Sequence, residues 1–212
     1  YYFPNGNLYK QEFWDKRDVK VLVANARDGS PTLASGSGYV NKYIGDKIVS
    51  VLNYSNGILN GEFVSYYDSG VKKESGNYKN GEKSGDWIVF YESTQVKRRE
   101  SFAQGAREGN MEAFFEDGNK RVAGAYVEGK KNGFWKFWSE NNKVYMQGFF
   151  LKNYQDSIWT YFYENSEQKE SEGFFKEGKK NGEWSFWYKT GEIWRKGVYF
   201  NGQKSGLWTT WF

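Results

Sequence analysis

A chain of 212 residues with no His and no Cys cannot build a Ser-His-Asp or Cys-His triad, a thiolate metal site or a disulfide framework. Its 30 basic residues against 26 acidic ones leave a net charge of +4, too little unopposed charge for a phosphate-driven interaction with nucleic acid. Aromatic residues make up 21% of the chain and Gly contributes 25 residues against 2 Pro, which suits strands and tight turns and not helices.

In chain order, Tyr2-Phe3-Pro4-Asn5-Gly6 resembles the middle of a repeat, and the chain opens at Tyr1 without Met, which reads as a mature or partial chain. Val19, Val21 and Val23 alternate like a strand, and Arg27-Asp28-Gly29-Ser30 reads as a turn. Residues 1–37 are therefore expected to form a partial repeat and a capping hairpin, with a partner-specific docking segment as the sharper alternative. No apolar run approaches the ~20 residues needed to span a bilayer as a helix.

From residue 38 onward the chain repeats. The unit Gly-x-Trp-x-x-aromatic-aromatic starts at 61, 85, 109, 133, 157, 182 and 206, steps of 24 with a single 25, after a degenerate copy at Gly38. A second aromatic marker keeps the same step at Tyr54, Tyr78, Phe102, Tyr126, Phe150, Phe175 and Tyr199, and a glycine stands two positions before most of them. Each copy reads as a hairpin. Strand one carries the Trp, a short turn such as Asp68-Ser69-Gly70 follows, strand two ends at the second marker, and Asn-Gly turns such as Asn80-Gly81 lead into the next copy. A lone hairpin is marginal in water, so each copy must lean on its neighbours. The expected fold is all-β: an elongated single-layer antiparallel meander of tandem β-hairpins over residues 38–212, stiffened by aromatic ladders.

The sequence Gly-x-Trp-x-x-Tyr-Tyr-x-x-Gly followed by Gly-x-Tyr-x-x-Gly-x-x-x-Gly resembles the MORN repeat, and more narrowly the bacterial MORN-variant repeat of proteins often labelled antitoxin-like. The best copies run from Gly61 to Ser84 and from Gly182 to Ser205. The resemblance implies a binding scaffold and not an enzyme, with a protein partner in a larger complex. It also implies a place at the cell envelope, in the periplasm or at the outer-membrane surface, as an accessory subunit of an envelope or secretion assembly. Choline-type cell-wall-binding repeats share Gly, Trp and Tyr-Tyr hairpins, so carbohydrate binding is the alternative reading.

The partner-binding candidates are Trp87, Trp135, Trp159, Trp184 and Trp208 with Tyr67, Tyr91, Tyr163 and Tyr188, because Trp and Tyr are favoured interface anchors. The competing reading makes the tryptophans the core. A basic edge is expected at the Asn-Gly turns, formed by Lys79, Lys83, Arg107, Lys130, Lys131, Lys179, Lys180 and Lys204, and it could meet a membrane surface. Asp68, Glu92, Glu116, Asp117, Glu140 and Glu164 should gather on the opposite edge. No cofactor, metal ion, nucleic acid or small-molecule substrate is expected.

Overall fold

The period-2 alternation and the regularly spaced turns fold as strands throughout. The computed structural model describes residues 1–15 and 18–212, which form eighteen strands and no helix. The chain divides into two compact units, Tyr1–Ala106 and Arg107–Phe212.

The first unit contains β1 (Lys10–Asp15), β2 (Asp18–Asn25), β3 (Pro31–Ala34), β4 (Ser37–Ile44), β5 (Lys47–Ser55), β6 (Ile58–Tyr66), β7 (Lys72–Lys79), β8 (Glu82–Phe90) and β9 (Val96–Ala103). Each strand pairs antiparallel with the next, so the unit is a meander. Its first core gathers Val21, Ala24, Leu33 and Val40, with Tyr9 and Tyr54 packed against them. Phe3 is also buried, 4.9 Å from Tyr9 and 5.5 Å from Tyr43, ring centre to ring centre. β2 is held against the turn at Gly57 by the Val21 amide, which donates to the Gly57 carbonyl at 3.0 Å.

The second unit contains β10 (Ala106–Phe114), β11 (Lys120–Val127), β12 (Lys130–Trp138), β13 (Val144–Leu151), β14 (Tyr154–Phe162), β15 (Lys169–Lys176), β16 (Lys179–Trp187), β17 (Ile193–Phe200) and β18 (Gln203–Thr210). It too is an antiparallel meander of consecutive hairpins.

Two turn types alternate. The first residue of each tight turn takes a left-handed conformation, as in Asn80 (φ 52) with Gly81 (φ 87) and Asn201 (φ 50) with Gly202 (φ 87). That is the type I′ geometry that Asn-Gly favours. The second residue of each such turn then donates to a carbonyl one repeat earlier: Gly81 to Leu59 at 2.8 Å, Gly129 to Arg107 at 2.9 Å, Gly202 to Lys180 at 2.8 Å. The other turns are three-residue loops closed by two backbone bonds, as where Phe115 donates to the Asn119 carbonyl at 2.8 Å and accepts from the Gly118 amide at 3.0 Å. One loop, from Tyr163 to Gln168, is a residue longer and accounts for the single step of 25.

Candidate functional site

The repeat motif builds a core on one face of the sheet within each unit. Trp135, Trp159 and Trp184 face two glycines, one on each neighbouring strand: Trp159 pairs with Gly148 and Gly173, and Trp184 with Gly173 and Gly197. The indole lies over the glycine of the preceding strand, and its Nε1 donates to the next carbonyl: Trp87 to Asn77 at 3.2 Å, Trp135 to Ala125 at 3.2 Å, Trp159 to Phe149 at 2.8 Å, Trp184 to Phe174 at 3.1 Å. The second marker closes the ring layer edge to face, with Phe150 at 5.0 Å and Phe175 at 6.3 Å from Trp159. Offset and edge-to-face geometry is the favourable one for aromatic pairs.

Trp87, Trp135, Trp159 and Trp184 are thereby fully buried and form the core of a single-layer sheet, while Trp208 keeps part of its ring exposed. The tyrosine candidates act as clasps between copies. The Tyr67 hydroxyl donates to the Phe90 carbonyl at 2.7 Å, Tyr163 to Trp187 at 2.6 Å, and Tyr188 to Trp211 at 2.9 Å.

The expected basic edge divides. Lys79, Lys130 and Lys179 are exposed beside the I′ turns. Lys83, Lys131, Lys180 and Lys204 stand four residues before a Trp, an even step that puts them on the tryptophan face. Their ammonium groups lie 3.6, 4.8, 3.9 and 4.8 Å from the indole centres. Arg107 holds the same place and covers Tyr126 at 5.4 Å. Burial pushes the Lys131 and Lys180 ammonium groups below their ordinary pKa, and nearby Lys204 adds to the shift at Lys180.

The opposite face differs between the units. The x of Gly-x-Trp and the residue after the second glycine pair across strands at one register position. In the first unit these pairs are Glu62 with Asn77 and Asp86 with Ser101. In the second they are Asn110 with Ala125, Phe134 with Phe149, Ile158 with Phe174, and Glu183 with Val198, so the two middle pairs are wholly apolar. Beyond Glu183, Val198 and Leu207 are exposed as well, Leu207 to 93%. Leu151, Tyr154 and Phe200 extend it toward the I′ turns. The sequence reading did not single out these residues, although the period of 24 marks the variable position at 62, 86, 110, 134 and 158.

On the tryptophan face of the second unit, two adjoining hollows of about 530 and 690 Å³ share Tyr161, Tyr163 and Glu170. They form one open trough with aromatic walls. Among the described residues no cluster of acidic side chains is arranged to hold a metal ion.

These features define a tandem β-hairpin repeat protein whose conserved-looking positions are spent on its own core and whose variable positions form its surfaces. The family model described as the MORN repeat variant matches the chain at two places, residues 59–80 and 180–201. Repeats of this kind commonly take part in protein or membrane binding, so a non-catalytic binding role fits the chain. No curated protein matches it. A solved structure described as the GtfA/B complex bound to UDP and GlcNAc is similar at 9% identity and a TM-score of 0.19, covering 64% of this chain and 23% of that one. The chain thus spans less than a quarter of that protein's length.

Proposed function

We propose that the chain is a protein-interaction scaffold that docks a partner protein on the apolar face of its second unit. The supporting observation is the contrast between hairpins at one register position. Glu62–Asn77 and Asp86–Ser101 show that the fold does not need apolar side chains there, yet Phe134–Phe149 and Ile158–Phe174 place them in solvent. A contiguous exposed apolar face costs solubility and is retained where something binds. The resemblance to bacterial variant-repeat proteins supports a place as an accessory subunit of an envelope or secretion assembly.

The test pairs the native chain with the double variant Phe149→Glu, Phe174→Glu in affinity capture from native membranes. Both forms should melt alike, since neither side chain is buried. The partner should be recovered with the native chain and lost with the variant. Equal recovery by both forms, or no stable partner for either, would overturn the proposal.

A second reading is favoured by the exposed Lys130, Lys152, Lys176 and Lys179, which lie along the I′-turn side of the unit bearing Leu151 and Phe200. Apolar side chains beside lysines suit an anionic bilayer surface. Flotation with vesicles of anionic lipid, absent with vesicles of neutral lipid, would favour this reading over the first.

A further inference from the structure

The hairpins of both units contain a bulge near the three-residue turn, where one residue is left without a cross-strand partner. In the first unit these residues are Lys73 and Lys97. Each folds back over the tyrosine of its own hairpin, Lys73 over Tyr67 at 5.4 Å and Lys97 over Tyr91 at 5.1 Å. In the second unit the same place holds Arg121, Tyr145, Glu170 and Trp194. Tyr163, the counterpart of Tyr67, lines the trough beside Glu170, and among the described residues no cation lies over it.

The repeat therefore has a cation place above this tyrosine, filled by the hairpin's own lysine at Tyr67 and Tyr91 and flanked by the Glu170 carboxylate at Tyr163. Glu170 is exposed and makes no ion pair among the described residues, and Glu140 and Glu164 add negative charge along the same trough, with Arg121 of β11 the cation at its other end. The nearby Lys180 ammonium is turned to Trp184 at 3.9 Å. A guanidinium or ammonium from outside would gain both the ring face and the carboxylate.

The flanking residues set the shape of the occupant. Tyr145, Glu170 and Trp194 lie on β13, β15 and β17, two strands apart, so they recur about every 9.6 Å across the sheet. A polyproline II chain advances about 9.3 Å per three-residue turn and needs no backbone partner. A chain of that form lying across the strands would present a ring to Tyr145, a cation to Glu170 and a ring to Trp194. Aromatic grooves receive proline-rich segments in this manner.

We infer that the trough of the second unit binds a basic proline-rich peptide in polyproline II form, with its cation between Tyr163 and Glu170. The site lies on the tryptophan face and is separate from the apolar face proposed above.

The probe is the end-blocked peptide Pro-Ala-Pro-Arg-Ala-Pro-Pro, titrated calorimetrically into the full chain. Saturable one-to-one binding is expected. Replacing the peptide's Arg by Glu, or its prolines by Gly, should weaken it at least about tenfold, the weight of one desolvated cation–π contact. Glu170→Lys should weaken it equally, because the new lysine would cover Tyr163 as Lys73 covers Tyr67, with the melting temperature unchanged. Phe149→Glu should bind the peptide as the native chain does. No binding, equal binding of the glycine peptide, or full binding by Glu170→Lys would overturn the inference, as would capture of a chitin oligosaccharide in the peptide's place. Such a failure, with partner capture still dependent on Phe149 and Phe174, would leave the scaffold proposal standing.

Discussion

The indole of Trp159 rests on the backbone of Gly148, so close that a Cβ built on that glycine would fall 2.4 Å from ring carbon Cδ2. The same contact recurs at 2.3 Å for Gly76 under Trp87, 2.1 Å for Gly124 under Trp135, and 2.3 Å for Gly173 under Trp184. Close approach, and not backbone freedom, is what requires glycine at these positions. Gly148→Ala should force the ring off its seat and break the Nε1 bond to the Phe149 carbonyl. A loss of about 2–3 kcal/mol is expected from overpacking, read as a fall in denaturation midpoint. An alanine variant within about 0.5 kcal/mol of the native chain would show that the ring can move freely.

Ser157 offers the reverse experiment. It stands where the other copies have Gly61, Gly85, Gly109, Gly133, Gly182 and Gly206, and it adopts the same left-handed conformation at φ 58. A side chain in that region carries strain of order 1 kcal/mol or more. Ser157→Gly should therefore stabilise the chain by about 1 kcal/mol and raise its melting temperature by roughly 2–4 °C. A fall in melting temperature would mean that the Ser157 hydroxyl, which donates to Asp156 at 3.0 Å, matters more than the strain.

The tyrosine clasps should be separable from the ring core. Tyr163→Phe keeps the ring and removes the hydroxyl that donates to the Trp187 carbonyl at 2.6 Å. The expected cost is about 1 kcal/mol, the net worth of one such bond. Native-state hydrogen exchange should show the loss first in β14 to β17.

Burial pushes the Tyr161 hydroxyl above its ordinary pKa, against the opposing effect of the Gln155 amide that donates to it at 2.9 Å. Tyr54 and Tyr78 are raised as well, again chiefly by burial. A phenol whose folded pKa is raised contributes stability that is complete below the unfolded value near 10 and is lost as pH climbs through the folded value. Melting temperature should thus fall between about pH 10 and the higher folded values, and Tyr161→Phe should flatten that fall. Lys131 and Lys180, whose pKa values are lowered by burial, act in the opposite sense over the range just below their ordinary value. An alkaline slope identical in Tyr161→Phe and the native chain would remove Tyr161 from the account.

The repeat, its hairpins and its two turn types were legible because Gly, Trp and the markers recur at one step, and the physics of each is local. Asn-Gly at 80 and 201 specifies its turn within two residues. Other features were hidden by the same regularity. Lys83 and Lys131 looked like edge charges, but their even spacing from Trp87 and Trp135 puts them over the rings. Phe134, Phe149 and Ile158 sat in the variable positions of the motif, where a consensus reading discards information. Tyr145, Glu170 and Trp194 were less accessible still. A bulge inserts a residue that breaks strict alternation, so its direction cannot be counted from the Trp.

The tyrosine bonds that join one copy to the next each reach about one repeat along the chain. Tyr163 to Trp187 is a reach of 24, and Tyr67 to Phe90 and Tyr188 to Trp211 are each a reach of 23. A molecule ruled in this way has a natural unit of change. Excising residues 133–156 would bring Ser157 to the position of Gly133 and keep every later strand in register with its neighbour, whereas losing half that length would set a strand of one kind where the other belongs. Such a chain can be lengthened or shortened over generations by whole copies, while its exposed faces are rewritten one variable residue at a time.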